Sequence, residues 1–92
     1  MVKQLVLIEA DNCVSCVTLE HEVKQVLPNF KNLDLEVLRD EESARGYVDR
    51  HNVEKLPALL LIDNDTCLGQ VYGYQPAFIL EVWLQSLLEK GN

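Results

Sequence analysis

Two cysteines separated by two residues, Cys13 and Cys16, form the most reactive grouping in this 92-residue chain. A cysteine thiolate is a nucleophile towards disulfides, and sulfurs one helical turn apart fall within the roughly 7 Å Cα separation that a disulfide bond tolerates. The pair is therefore suited to reversible dithiol–disulfide exchange. Metal binding is the rival use. Structural zinc takes about four protein ligands, and beyond the pair only Cys67, His21 and His51 remain, with no second Cys-x-x-Cys. The reading assigns no metal and no cofactor other than the redox-active pair. A third alternative is that two small hydrophobic side chains happen to line a helix.

The elements that must position the pair are visible in the hydrophobic pattern. Leu5 to Ile8 is a run of apolar, mostly branched residues that ends at Glu9-Ala10-Asp11-Asn12, so it reads as a buried strand followed by a turn. From about Cys13 to Leu27, the residues Cys16, Leu19, Val23, Val26 and Leu27 recur at helical spacing, and Pro28 and Asn29 end the helix. With Asn12 as the expected cap, Cys13 becomes the helix's first residue, where unpaired amide groups favour thiolate over thiol. Cys13 should be exposed and Cys16 shielded. That asymmetry makes Cys13 the attacking sulfur and Cys16 the one that resolves the mixed disulfide.

The remainder alternates strand and helix. Leu33, Leu35 and Val37 alternate with Asp34 and Glu36, a half-exposed strand. Asp40 is a plausible cap for a helix over about 41–51, with Glu41 and Glu42 in its first turn. Leu56 to Ile62 reads as a third strand with Pro57 at its start, since proline donates no hydrogen bond within a ladder. The turn Asp63-Asn64-Asp65-Thr66 leads to an antiparallel strand over Cys67 to Tyr72, which places Cys67 in a buried strand, and Gly73 ends it. After Pro76, a good first residue for a helix, Ile79, Leu80, Trp83, Leu84, Leu87 and Leu88 form an apolar stripe to the C-terminus, with Trp83 in the core. The order is β-α-β-α-β-β-α in one domain spanning residues 1–92, an α/β chain.

Composition narrows the function classes. The content of 48% hydrophobic and 25% charged residues is that of a globular protein with its own core. A formal charge of −7 without any Lys/Arg cluster argues against nucleic acid and favours a soluble monomer. The opening residues supply too short an apolar run for a membrane span or signal peptide, so a cytoplasmic location is expected. An odd number of cysteines, three, does not suggest a secreted disulfide framework.

The Cys-x-x-Cys pair after strand one, the segment Asn52-Val53-Glu54-Lys55-Leu56-Pro57 leading into Ala58–Ile62, and Gly73 after strand four together resemble the thioredoxin family over nearly the whole chain. The resemblance implies a thioredoxin-like fold, a four-stranded mixed sheet flanked by three helices, in a minimal, glutaredoxin-sized form. It also implies a cis Pro57 packed beside the cysteines, with Leu56 offering backbone groups to an extended substrate and Gly73 leaving room for it. Implied partners are proteins carrying disulfides and a reductase of unidentified type. The inner motif differs from the family's Trp-Cys-Gly-Pro-Cys, reading Asn12-Cys13-Val14-Ser15-Cys16. The buried aspartate found six residues before the family's first cysteine falls on Leu7; Glu9, expected at the solvated strand end, is a conceivable substitute in proton transfer. Lys55-Leu56-Pro57 and the single Gly73 depart from the glutathione-binding pattern of glutaredoxins. A non-catalytic interaction module on the same fold is the principal alternative.

Overall fold

The computed structural model describes residues 3–90. Its elements are β1 (Lys3–Ile8), α1 (Val14–Val26), β2 (Leu33–Leu38), α2 (Glu41–His51), β3 (Ala58–Asp63), β4 (Thr66–Tyr72) and α3 (Ala77–Lys90), in the expected order. The sheet runs β2-β1-β3-β4, with β1 parallel to β2 and antiparallel to β3, and β3 antiparallel to β4. The central strands β1 and β3 are covered on both faces, which explains their uninterrupted apolar runs. On one face Leu5, Leu7, Leu59 and Leu61 pack against Leu19, Val23 and Val26 of α1 and Leu80 and Leu84 of α3. On the other, Val6, Ile8, Ala58, Leu60 and Ile62 meet Ala44, Tyr47 and Val48 of α2.

Three local features differ from the sequence reading. Helix α1 ends at Val26, and Leu27–Asn29 with Pro28 inside it tightens into a 3₁₀ turn instead of breaking off sharply. Pro76 stands just before α3, its carbonyl accepting from the amides of Ile79 and Leu80. Trp83 and Cys67 are half-buried at the margins of the two cores, not inside them; Trp83 packs over the edge strand β4, on which Cys67 itself lies. The β3–β4 register also shifts between Leu61 and Ile62, opposite Gly69 and Cys67. At Gly69 a Cβ would stand 2.7 Å from Leu87 Cδ1, so α3 packs directly on the backbone of β4.

The register sets the functional end of the molecule. Ile8, the last residue of β1, pairs with Ala58, the first of β3, and Ala58 pairs with Tyr72 at the close of β4. The segments that follow β1, precede β3 and follow β4 therefore converge on one edge of the sheet. These are the segments that hold Glu9 to Cys13, Leu56-Pro57, and Gly73-Tyr74.

Candidate functional site

Glu9 extends the β1 ladder by one bond, its amide donating to Leu38 O at 2.9 Å. The chain then reverses through Asn12, whose φ of 51° is the left-handed conformation that asparagine tolerates better than most residues. Asn12 is consequently not the helix cap. Cys13 takes that place, with extended φ and ψ of −115° and 103°, and its sulfur accepts from the Cys16 amide at 3.1 Å. A capping sulfur receives a hydrogen bond where serine or aspartate would otherwise sit. The first turn of α1 contains no acidic residue to compete for the helix's positive end.

Cys13 and Cys16 are joined by a disulfide with Cα atoms 5.2 Å apart. Ser15 Oγ stands 3.4 Å from Cys13 Sγ, close enough for its hydroxyl to donate to the sulfur. Cys16 is 2% exposed and shares its helix face with Leu19, Val23 and Val26. Cys13 is half-buried, more covered than the sequence suggests, because its sulfur folds back over the helix start. An open groove beside it is lined by Asn12, Cys13, Val14, Ser15, Thr18 and Tyr74. Among the described residues no group of three His, Cys, Asp or Glu side chains is arranged to hold a metal ion.

The Leu56–Pro57 peptide is cis. Pro57 is buried and its carbonyl accepts from the Gly73 amide at 2.8 Å, which ties the start of β3 to the end of β4. Gly73 has φ of +72°, a conformation that glycine adopts without the strain a side chain brings. Nothing lies within 4 Å of where its Cβ would be, so the space beside it is open. Leu56 is half-exposed and lines a second cleft of 540 Å³, together with Glu9, Arg39, Ala44, Val48 and Val53.

Glu9 requires a correction: it is not at a solvated strand end. Its side chain is only 7% exposed and reaches Arg39, with Oε1 at 3.1 Å from Nε, while Oε2 is buried with no partner. Arg39 also bridges to Glu20 at 3.0 Å, and Lys24 bonds Glu20 at 2.7 Å. Burial pushes the Glu9 carboxyl above its ordinary range, and the neighbouring Glu20 adds to the rise while Arg39 opposes it. Glu20 shifts the other way, chiefly through the hydrogen bond from Lys24. Glu20 lies one turn beyond Cys16 on α1, so this carboxyl pair is one turn from that cysteine along the helix. Leu7, by contrast, is fully buried in the core.

No family model matches the chain, and no curated protein matches it. Solved structures do. A malarial protein aligns over 96% of this chain and 99% of its own at TM-score 0.77 and 18% identity. Thioredoxin-2 of the malaria parasite, described as a component of its protein secretion machinery, aligns over 92% and 82% at TM-score 0.76 and 17% identity. Thioredoxin from Aeropyrum pernix aligns over 94% and 75% at TM-score 0.75 and 13% identity. The fold is thioredoxin-like. This thioredoxin-like domain thus carries the expected four-stranded mixed sheet with three helices. Sequence reading missed Ser15, Arg39 and Tyr74. Ser15 was legible as the second residue of a helix capped by Cys13, but no local pattern links Arg39 to Glu9 or Tyr74 to the disulfide groove.

Proposed function

We propose that the protein is a thiol–disulfide oxidoreductase that reduces disulfides of other proteins through Cys13 and Cys16. The observation that carries this reading is the seat of the pair: one sulfur caps α1 at the mouth of an open groove, and the other is buried a turn behind it. In the reduced protein, the Cys16 amide and the Ser15 hydroxyl donate towards Cys13 Sγ, and both bonds favour the thiolate.

The Cys13 thiolate attacks one sulfur of a substrate disulfide. A bond forms between the two proteins, the substrate S–S bond breaks, and the leaving sulfur departs as a thiolate that takes a proton. Cys16 then loses its proton and attacks Cys13 Sγ, which restores the Cys13–Cys16 disulfide and releases the second substrate thiol. Two electrons pass to the substrate, and a dithiol reductase of unidentified type returns them. Glu9 serves as the group that exchanges a proton with Cys16, supported by its burial and its place beside Glu20. Leu56 and Gly73 flank the bound polypeptide, supported by the exposure of the first and the open space over the second.

No helix among the described residues is long and apolar enough to cross a membrane. The formal charge of −7 favours action on proteins and not on nucleic acid, and the proposed setting is that of a soluble monomer in the cytoplasm. The test is reduction of a disulfide-bonded protein with dithiothreitol as electron source. Cys13→Ser should bring the rate down to the uncatalysed background, while Cys16→Ser should accumulate a mixed disulfide visible by mass spectrometry. Activity that survives Cys13→Ser sinks the mechanism.

A further inference from the structure

Helix α3 buries Leu80 and Leu84 against the sheet, yet its outward side also begins apolar. Phe78 is 69% exposed, Val82 63%, and Ile79 is exposed beside them. Farther along, the exposed positions are Gln85, Ser86 and Glu89. Single exposed hydrophobics are ordinary on a protein surface. A helix whose outward side is apolar only in its first two turns calls for a reason located at that end.

That end adjoins the disulfide. The Ala77 amide donates to Glu22 Oε1 at 2.9 Å, which fixes the start of α3 against α1. Tyr74, also exposed, leads into α3 and lines the same groove as Cys13 and Val14, the latter 82% exposed. Val14 and Tyr74 are thus exposed apolar residues at the groove, and Phe78 and Val82 follow Tyr74 along the chain, one turn apart on α3. The stretches that supply these residues are poor in cations, with Lys24 and Lys55 only at their ends. The chain has no Lys or Arg between Ala10 and Val23 or between Leu56 and Glu89, the two stretches that build this surface, whereas Asp11, Glu22 and Glu81 belong to them.

We propose that Tyr74, Phe78 and Val82 form a docking ridge for a polypeptide partner that carries apolar side chains flanked by Lys or Arg beside the disulfide exchanged with Cys13. The inference rests on the exchange reading and names its substrate class. A second copy is the poorer occupant, since it brings the same cation-poor stretches and a further net charge of −7. The encounter is brief and small, as suits a redox partner that must leave after each turnover.

The test uses the full chain, reduced beforehand and freed of reductant, in single-turnover exchange with three probes. One is a disulfide-bridged peptide with leucines and lysines flanking the bridge, the second has the lysines replaced by glutamates, and the third is the uncharged small disulfide 2,2′-dithiodipyridine. The lysine peptide should react fastest, with an advantage that shrinks as salt rises. The double variant Phe78→Ser, Val82→Ser should lower the lysine-peptide rate constant by about tenfold and leave dithiodipyridine unchanged. Both positions are exposed, and circular dichroism checks that the fold is kept. The ridge is overturned if the lysine peptide reacts with the variant as fast as with wild type, or if dithiodipyridine slows equally. It is also overturned if wild type sediments as a dimer that the variant dissociates. A wild-type chain inert to all three probes would instead overturn the exchange reading itself.

Discussion

Helices α1 and α2 start in equivalent places, each after a parallel strand of the same sheet, and their first turns are built oppositely. At α2 the Asp40 carboxylate accepts from the Glu42 amide at 3.1 Å, and Glu41 and Glu42 add negative charge where the helix's positive end favours it. At α1 the cap is a cysteine sulfur and the first turn holds no acid. The first arrangement stabilises the fold. The second leaves the helix's positive end and its free amides for a sulfur that must become an anion. One backbone motif thus carries a carboxylate cap in one copy and a cysteine sulfur in the other, and on the proposed function the second is built for reactivity by the side chains of a single turn.

The strongest way to break this contrast is to give α1 the first turn of α2. Ser15→Glu places a carboxylate at the second position of α1, where it should stabilise the folded chain by about 0.3 to 1 kcal/mol. It also removes the hydroxyl at 3.4 Å from Cys13 Sγ and sets a like charge beside the nascent thiolate. Alkylation of reduced Cys13 by iodoacetamide near neutral pH should slow by about tenfold, even as the urea midpoint rises. Alkylation at the wild-type rate would show that the acid-free turn has no bearing on the sulfur.

The converse change tests the other helix. Asp40→Ala removes the α2 cap and should cost about 0.5 to 2 kcal/mol in denaturant unfolding. Exchange by Cys13 should be unaltered, because Asp40 makes its bonds within the start of α2. A parallel loss of exchange rate would mean that the two helix starts are coupled and that the contrast is drawn too sharply.

Much of this architecture could be read from the chain. The unbroken run Leu5–Ile8 marked a buried strand, and Asp40 with two glutamates marked the α2 start, whereas the left-handed Asn52 that closes that helix was not read. Pattern failed where one residue type suits two tasks. Asparagine is favoured both as a cap and in left-handed turns; at Asn12 the turn prevails, because the chain must reverse between Glu9 and the helix, and the cap passes to Cys13. Glu9 escaped for a different reason. A glutamate after a strand looks solvated until Arg39, thirty residues later, and Glu20 close over it, and contacts that far apart leave no periodic trace.

Arg39, next to the Asp40 cap, holds both Glu20 in the middle of α1 and Glu9 just after β1. The smallest expected effect lies there, in Glu9→Gln. With its folded affinity for protons raised, Glu9 keeps a proton that the unfolded chain has released once pH exceeds the ordinary carboxylate range. The folded state binds more protons in that window, so this group's contribution is full below the unfolded value and is lost as pH rises through the folded one. Glutamine is uncharged at every pH and carries no such loss. The urea midpoint of Glu9→Gln relative to wild type should therefore climb as pH rises from the ordinary carboxylate range through the raised folded value. Release of the second substrate thiol should slow by about threefold, because the amide cannot take the Cys16 proton. A midpoint difference that stays flat with pH would place Glu9 in the ionised form throughout. A flat difference with unchanged release would remove it from the exchange cycle, leaving the contrast between the two helix starts to rest on Cys13 and its own first turn.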